Sequence, residues 1–276
     1  MDEPLIGVRN LRIAFGPLAS PIEVVRGISF DLGREKLGIV GESGSGKSLT
    51  GRAIMRLTPP GARVSADGLT FGGLDLLTAS ERRMEDVRGR GIGFIMQDPK
   101  YSLNPVIPVG EQIAETYRLH VKAGGAEARK RALDILRTVQ IRDPERVAKM
   151  YPHEMSGGMG QRIMIAMMLV AEPKALIADE PTSALDVTVR LEILALLDDL
   201  VASRGLGLIF ISHDLNLVRR FCDRVLIMYR GRIVETLAAD RLGDATHPYT
   251  RGLLDALPRI HARRARLPTL QRDPQW

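Results

Sequence analysis

The segment from Gly41 to Ser48 constrains the fold more than any other part of this sequence. It reads Gly-Glu-Ser-Gly-Ser-Gly-Lys-Ser and matches the pattern G-x-x-x-x-G-K-[ST]. The apolar stretch Lys36–Val40 before it predicts a strand, and the residues Lys47–Leu57 predict a helix that ends before Pro59. A strand, a glycine-rich loop and a helix in this order are the context of a phosphate-binding loop. We therefore expect an α/β fold that binds a nucleotide.

The residue types in this loop suit phosphate chemistry. Glycines let the backbone curl so that its N–H groups face the phosphates, and the start of the helix adds partial positive charge. A lysine at this position reaches the β- and γ-phosphates, and the hydroxyl after it ligates Mg²⁺. The alternative is a glycine-rich turn without function, which would not require the flanking strand and helix. The predicted nucleotide-binding residues are Gly41, Glu42, Ser43, Gly44, Ser45, Gly46, Lys47 and Ser48.

Two carboxylates end a second apolar stretch. Ala175–Ala178 predicts a buried strand, and Asp179 and Glu180 follow it directly. The end of such a strand lies at the rim of the sheet, where open α/β folds bind their ligands. We expect Asp179 to hold Mg²⁺, directly or through water, and Glu180 to orient or deprotonate the attacking water. The alternative for Glu180 is an acidic cap on the next segment, and the accompanying phosphate loop favours catalysis.

Strand and helix signals on either side of these motifs predict a layered fold. Ile6–Phe15 and Val24–Leu32 read as strands, and apolar residues recur at helical spacing between Asp98 and Arg162. Strands and helices then alternate, which predicts a mainly parallel sheet with helices on both faces. The later predicted elements are the helix Val189–Ser203 closed by Gly205, the strand Leu206–Ile211, the hairpin Val225–Tyr229 with Arg232–Val234, and the helix Thr250–Leu257.

Composition excludes several classes of protein. The single cysteine, Cys222, allows neither an internal disulfide nor a multi-cysteine cluster. We see no secretory signal, and the longest apolar run, Ile163–Ala171, is nine residues, too short to cross a bilayer. The net charge of +6 is dispersed except in the basic segment Arg259–Trp276, which we expect to be extended and partly disordered. That segment could contact lipid or nucleic acid, but a solvated tail is favoured, and we expect no specific nucleic-acid partner.

The segment Ser156–Arg162 lies between the phosphate loop and the carboxylate strand and reads Ser-Gly-Gly-Met-Gly-Gln-Arg. It resembles the signature motif of the ATP-binding subunits of ATP-binding-cassette (ABC) transporters. The resemblance implies that Ser156, Gly157 and Gly158 bind the γ-phosphate held by a second cassette, identical or paralogous. Met159 and Gly160 depart from the general and the subfamily patterns, respectively, but leave the Ser-Gly-Gly cradle intact.

The same resemblance assigns four more residues. It implies that Gln97 senses Mg²⁺ and the γ-phosphate, that Asp186 lies in a loop crossing the dimer interface, and that His213 contacts the γ-phosphate. Phe15 is similar to the aromatic residue that stacks on adenine. From the residues alone, a phenylalanine at a strand end is just as often a core residue. A lone histidine is more often structural, but the position of His213 directly after a predicted strand favours a functional role.

Further motifs narrow the resemblance to the importers of oligopeptides, dipeptides and nickel. These are Gln97–Pro99, Ser102–Pro105 and the segment His247–Thr250. They imply a cassette over residues 1–245, with a helical subdomain at about 98–165, and a short C-terminal extension over residues 246–276. The expected fold is a P-loop cassette with a mainly parallel sheet core, an N-terminal antiparallel β subdomain and a helical signature subdomain. We expect no iron–sulfur cluster in the extension and a small buried role for Cys222.

The resemblance implies an ATPase that uses ATP and Mg²⁺ to energise peptide import from the cytoplasmic face of the inner membrane. Its expected partners are a second cassette, two transmembrane permease subunits and an extracytoplasmic substrate-binding protein. One alternative is the same role in a nickel or other small-solute importer. Others are a non-transport ABC ATPase, which typically carries two cassettes or a coiled-coil insertion, and a regulatory cassette without turnover, which the intact catalytic residues disfavour.

Overall fold

The computed structural model of the chain describes residues 3–98, 102–183 and 185–257. Contacts within the chain divide it into two units. Unit 1 comprises Met1–Thr78 and Ile209–Trp276, and unit 2 comprises Ala79–Leu208. The phosphate-loop sequence lies in unit 1, whereas the carboxylate strand and the signature segment lie in unit 2.

An antiparallel sheet forms the N-terminal part of unit 1. Its central strand β1 pairs antiparallel with three of the other strands, and β5 pairs with β6. Asn10 adopts a left-handed backbone (φ 50°) at a register shift between Val8 and Leu11. This bulge keeps both apolar residues buried although three positions separate them, since asparagine tolerates that conformation. The strands are β1 (Ile6–Phe15), β2 (Ile22–Leu32), β4 (Arg63–Ser65), β5 (Gly68–Phe71) and β6 (Leu74–Asp75).

The second sheet of unit 1 carries the phosphate loop. Its strands follow the order β11-β10-β3-β9, in which β10 pairs parallel with β3 and antiparallel with β11. The turn between β10 and β11 has positive φ at both Arg230 and Gly231, as a tight hairpin requires. The strands are β3 (Lys36–Val40), β9 (Gly207–Ser212), which enters from unit 2, β10 (Arg224–Tyr229) and β11 (Arg232–Ala238). The helices of unit 1 are α1 (Lys47–Ile54), α8 (Leu215–Phe221) and α9 (Pro248–Asp255).

Helices dominate unit 2. Strand β7 (Ile92–Ile95) pairs parallel with β8 (Ala175–Asp179), and every residue of β8 is buried. The helix α4 buries Ala128, Ala132, Ile135 and Leu136, a spacing that places one apolar stripe against its neighbours. The helices are α2 (Glu81–Val87), α3 (Val109–Val121), α4 (Gly125–Thr138), α5 (Pro144–Val147), α6 (Gly157–Leu169) and α7 (Val187–Arg204).

The structure confirms the predicted elements and corrects their ends. The helix predicted to reach Leu57 ends at Ile54, because Arg56 turns into the left-handed region (φ 51°). The helix predicted from Val189 begins at Val187, because the side chain of Asp186 caps it, and Gly205 closes it as predicted. The short strands β4, β5 and β6 were missed.

The predicted ends of six other elements were also wrong, including β8, which continues to Asp179, and β10, which starts at Arg224. Strand β2 starts at Ile22 instead of Val24, β9 runs from Gly207 to Ser212, β11 continues to Ala238, and the last helix spans Pro248–Asp255. The basic segment Arg259–Trp276 lies outside the described residues. Among the helices that the structure describes, none combines the length and the apolar character that a membrane crossing needs.

Candidate nucleotide-binding site

The phosphate loop joins β3 to α1 by a backbone path that requires glycine at two positions. A Cβ on Gly41 would lie 2.1 Å from the carbonyl oxygen of Met228, so no side chain fits there. Gly46, directly before α1, has φ 101°, and a Cβ would lie 2.9 Å from Val25 Cγ2. The loop is therefore held close against strand β10 and turns sharply into the helix. This is the local geometry that the sequence predicted.

The polar groups of the loop fit a phosphate ligand. Lys47 is 6% exposed, and its Nζ donates hydrogen bonds to the carbonyl oxygens of Gly41 (2.8 Å) and Glu42 (2.9 Å). Ser45 Oγ is buried and has no hydrogen-bond partner among the described residues. A buried hydroxyl of this kind is costly unless a ligand or water satisfies it. A pocket of about 270 Å³ lies over the loop and is lined by Glu42, Ser43, Gly44, Ser45, Tyr229 and Arg230.

The two carboxylates follow β8 in unit 2 as predicted. Asp179 is the last residue of the strand and is buried. Glu180 has a left-handed backbone (φ 49°), and its carbonyl oxygen accepts hydrogen bonds from Ser183 N (3.3 Å) and Ser183 Oγ (3.2 Å). A non-glycine residue in this conformation costs about 1–3 kcal/mol, and such strain concentrates at functional sites. Glu180, which the sequence assigns to catalysis, is one of eight non-glycine residues with positive φ in the described part of the chain.

The signature segment forms an exposed helix start. Ser156 caps α6 by accepting a hydrogen bond from Met159 N at 3.4 Å, and both Ser156 and Gly157 are exposed. A Cβ on Gly158 would lie 2.5 Å from Val189 Cγ1, so this glycine is required where α6 packs on α7. The N–H groups and the dipole of α6 thus open onto the protein surface, where they can bind an anion.

Gln97 lies beside the signature in unit 2. Both line one pocket of about 270 Å³, together with Pro181 and Leu185. Gln161 lines the same pocket, and its buried Nε2 has no hydrogen-bond partner among the described residues. The sequence assigned Gln97 and the signature to different nucleotides, so their shared pocket was not anticipated.

The remaining predicted residues occupy the ends of elements. Phe15 is half-buried at the end of β1, and His213 is exposed directly after β9. Asp186 is exposed, and its Oδ1 accepts a hydrogen bond from Val189 N (3.0 Å), which caps α7. Cys222 is buried, as predicted, and burial raises the pKa of its thiol to about 12. Within the described residues, no group of three His, Cys, Asp or Glu side chains forms a metal cluster.

Some residues at these pockets were missed. Tyr229 and Arg230 line the pocket over the phosphate loop, but the sequence indicated only a hairpin at this point. The one available signal was a tight turn after a buried strand, and such a turn does not specify which segment of the chain it faces.

Comparison with known proteins identifies the family. A family model described as "ABC transporter" matches residues 25–183. The chain belongs to the ABC transporter family. The "Probable peptide ABC transporter ATP-binding protein y4tR" of Sinorhizobium fredii is 48% identical over 270 residues, covering 96% of this chain and 81% of that protein. The "Oligopeptide transport ATP-binding protein OppD" of Bacillus subtilis is also 48% identical, over 94% of this chain and 73% of that protein.

Solved structures agree with this assignment. The ATP-binding cassette MJ0796, in a dimeric post-hydrolysis state bound to ADP and Pi, superposes with a TM-score of 0.75 at 25% identity. The alignment covers 85% of this chain and 98% of the cassette. The chain is thus an ABC ATPase that binds ATP, with an antiparallel β subdomain, a mainly parallel sheet and a helical signature region.

Proposed function

We propose that this ATPase energises the import of peptides as one of a pair of cassettes bound to two permease subunits. One observation carries the proposal: a chain with a complete set of ATPase motifs aligns over 96% of its length with a peptide-transport ATP-binding protein. A second curated relative, from Bacillus subtilis, is named for oligopeptide transport. The cassette would sit at the cytoplasmic face of the inner membrane as a peripheral subunit, and an extracytoplasmic binding protein would supply the substrate.

In this proposal the phosphate loop holds the nucleotide. The ammonium of Lys47 already lies against the loop carbonyls, so it needs only a small movement to reach the β- and γ-phosphates. The buried hydroxyl of Ser45 would gain a phosphate oxygen as its partner. Phe15 would stack on the adenine, and His213 would contact the γ-phosphate. The remaining contacts are backbone N–H groups of residues 43–48, since Glu42 N donates to the hydroxyl of Tyr249.

Ser48, Gln97 and Asp179 would hold Mg²⁺. A hydroxyl, an amide oxygen and a carboxylate are suitable ligands, because Mg²⁺ needs few protein groups when phosphates and water complete its shell. When bound, the ion neutralises charge that develops on the phosphates. Glu180 would orient the attacking water and accept its proton.

The second cassette would complete each site. Ser156 and Gly157 are exposed at the start of α6, so they are available to a nucleotide held by another chain. Asp186 would lie at the same interface while it caps α7. The dimeric state of the MJ0796 cassette supports this arrangement.

A loop in unit 2 is the proposed permease contact. The amide of Gln112 accepts a hydrogen bond from Asn104 N (2.9 Å) and donates to the carbonyl oxygens of Asn104 (2.9 Å) and Ile107 (2.7 Å). This clamp holds Val106 outward, with 77% of the residue exposed. The loop thus presents an apolar side chain that a permease subunit would cover.

The test uses the complete transporter in lipid, with its binding protein loaded with peptides or with Ni²⁺. We expect peptides to stimulate ATP hydrolysis, and we expect Glu180→Gln to bind ATP but hydrolyse it at least about 100-fold more slowly. The exposed Glu85 on α2 offers a matched control, since Glu85→Gln should leave turnover unchanged. Stimulation by Ni²⁺ alone would move the transporter to the metal importers, and wild-type turnover of Glu180→Gln would refute the assignment of the catalytic carboxylate.

A further inference from the structure

The turn that begins the C-terminal extension is fixed to strand β11 by one carboxylate. Glu235 Oε1 accepts hydrogen bonds from Thr246 N (2.7 Å), Thr246 Oγ1 (3.1 Å) and His247 N (3.3 Å). Burial raises the pKa of Glu235, but the nearby polar groups of Thr250, Thr246 and His247 outweigh burial and lower that pKa below its usual value. The carboxylate is therefore charged at neutral pH and holds both backbone N–H groups of the turn.

This turn directs Tyr249 into the protein. The Nδ1 atom of His247 accepts a hydrogen bond from Tyr249 N (3.2 Å), and Pro248 occupies the first turn of α9, where a proline is favourable. Tyr249 is 0% exposed although it lies in a short helix near the end of the described chain. Its ring packs on that of Tyr229, with the centroids 4.4 Å apart.

The hydroxyl of Tyr249 reaches the phosphate loop. It accepts a hydrogen bond from Glu42 N at 3.2 Å, between residues 207 positions apart in the chain. Glu42 N and the Gly41 carbonyl belong to the same peptide group, and that carbonyl accepts the hydrogen bond from Lys47 Nζ. Because a peptide group is planar and rigid, Tyr249 and Lys47 hold the two sides of a single plane in the loop.

A separate hydrogen bond holds the phosphate loop at Ser45. Ser45 O accepts a hydrogen bond from Gly231 N (3.1 Å) in the hairpin turn, and Gly231 O accepts one from Arg26 N (2.7 Å). Tyr229, on which Tyr249 packs, precedes this turn by one residue. The loop is thus held at Glu42 by the C-terminal extension and at Ser45 by the hairpin.

We propose that Tyr249 is a positioning residue of the nucleotide site, because its hydroxyl fixes the Gly41–Glu42 peptide group and hence the position of the Lys47 ammonium. The C-terminal extension is then part of the nucleotide site. The proposal rests on the proposed function, in which residues 41–48 bind the phosphates. Its physical basis is preorganisation: a loop that binds anions through backbone N–H groups loses affinity when one of its peptide groups is free to rotate.

The test is Tyr249→Phe in the full-length chain, which removes the hydroxyl and keeps the ring. Binding of mant-ATP with Mg²⁺ should weaken about three- to tenfold, the loss expected for one hydrogen bond. The KM for ATP should rise by the same factor, while kcat at saturating ATP should stay within about twofold because bound nucleotide restores the loop. Tyr117→Phe is the matched control. Within the described part of the chain, the Tyr117 hydroxyl on α3 bonds only Glu127 (3.4 Å), so this variant should leave all three values unchanged.

Two further variants separate the explanations. Tyr249→Phe could bind mant-ATP like the wild type while only Tyr249→Leu shows weaker mant-ATP binding. In that case the ring contributes packing but the hydroxyl does not position the loop, and the proposal is wrong. A lower melting temperature of Tyr249→Phe with unchanged KM also overturns it, because a purely structural role predicts that result. A different result would refute the proposed function itself: Lys47→Ala would bind mant-ATP as well as the wild type does.

Discussion

The two glycines that open α6 should respond in opposite ways to the same added methyl group. A Cβ on Gly157 would meet Leu185 Cδ2 at 3.6 Å, an ordinary contact, whereas a Cβ on Gly158 would lie 2.5 Å from Val189 Cγ1. Overpacking of this kind costs about 1–3 kcal/mol, and valine cannot easily rotate away because it is branched at Cβ. The higher helix propensity of alanine stabilises the helix by at most about 1 kcal/mol relative to glycine.

We therefore expect Gly158→Ala to lower the free energy of unfolding by about 1–2 kcal/mol, equivalent to about 2–4 °C in Tm for each kcal/mol. Gly157→Ala should be as stable as the wild type or slightly more so. Its methyl group, however, would stand beside the exposed N–H groups that are proposed to bind the partner's γ-phosphate. Loss of one charge-assisted hydrogen bond there predicts an ATPase rate at least about tenfold lower.

The assay pairs thermal unfolding of the purified chain with the ATPase rate of the complete transporter for both variants. Wild-type ATPase activity in Gly157→Ala would refute the role of this helix start as an anion site. Wild-type stability in Gly158→Ala would refute the packing argument instead. The variants share one chemical change in adjacent residues, so a general effect of alanine cannot explain a difference between them.

Three other regions offer tests. Because Glu180 has φ 49°, Glu180→Gly should be about 1 kcal/mol more stable than Glu180→Ala in chemical denaturation. Both variants should lose ATP hydrolysis. Equal stability of the two variants would show that the left-handed backbone of this residue costs no free energy. Burial, followed by the charge of Asp223, raises the pKa of Cys222 from 9.0 to about 12, with Lys36 opposing the shift. At pH 8 the folded chain should therefore react with a thiol reagent far more slowly than the denatured chain, and equal rates would contradict the burial. The raised pKa also makes stability depend on pH, because the unfolded chain releases the thiol proton before the folded chain does. The stabilisation from the neutral, buried thiol is fully present below pH 9.0 and is progressively lost as the pH rises towards about 12. Val106→Glu should leave the basal ATPase activity of the isolated chain unchanged but abolish the stimulation of the complete transporter by loaded binding protein. The control Val121→Glu, at a half-exposed residue at the end of α3, should keep that stimulation. Normal stimulation of the Val106→Glu transporter would place the permease contact elsewhere.

Local signals predicted most of the fold. The phosphate loop is a contiguous strand, loop and helix, so its residue types and their order specify the backbone path without distant contacts. The buried strand before Asp179 and the helix closed by Gly205 were predicted for the same reason. The strands β4, β5 and β6 were missed because two to four residues carry too little alternation to be detected.

The sequence by itself determined the ATPase motifs, the mainly parallel sheet and the family resemblance, because each depends on neighbouring residues or on fixed local spacing. Only the tertiary structure decided that Tyr249 contacts Glu42, that Gln112 clamps the loop carrying Val106, and that Gly158 makes room for Val189. Such contacts join residues that are distant in the chain or belong to different elements. They arise when packing brings two side chains, or a side chain and a backbone group, within a few ångströms, and no periodicity in the sequence records that distance.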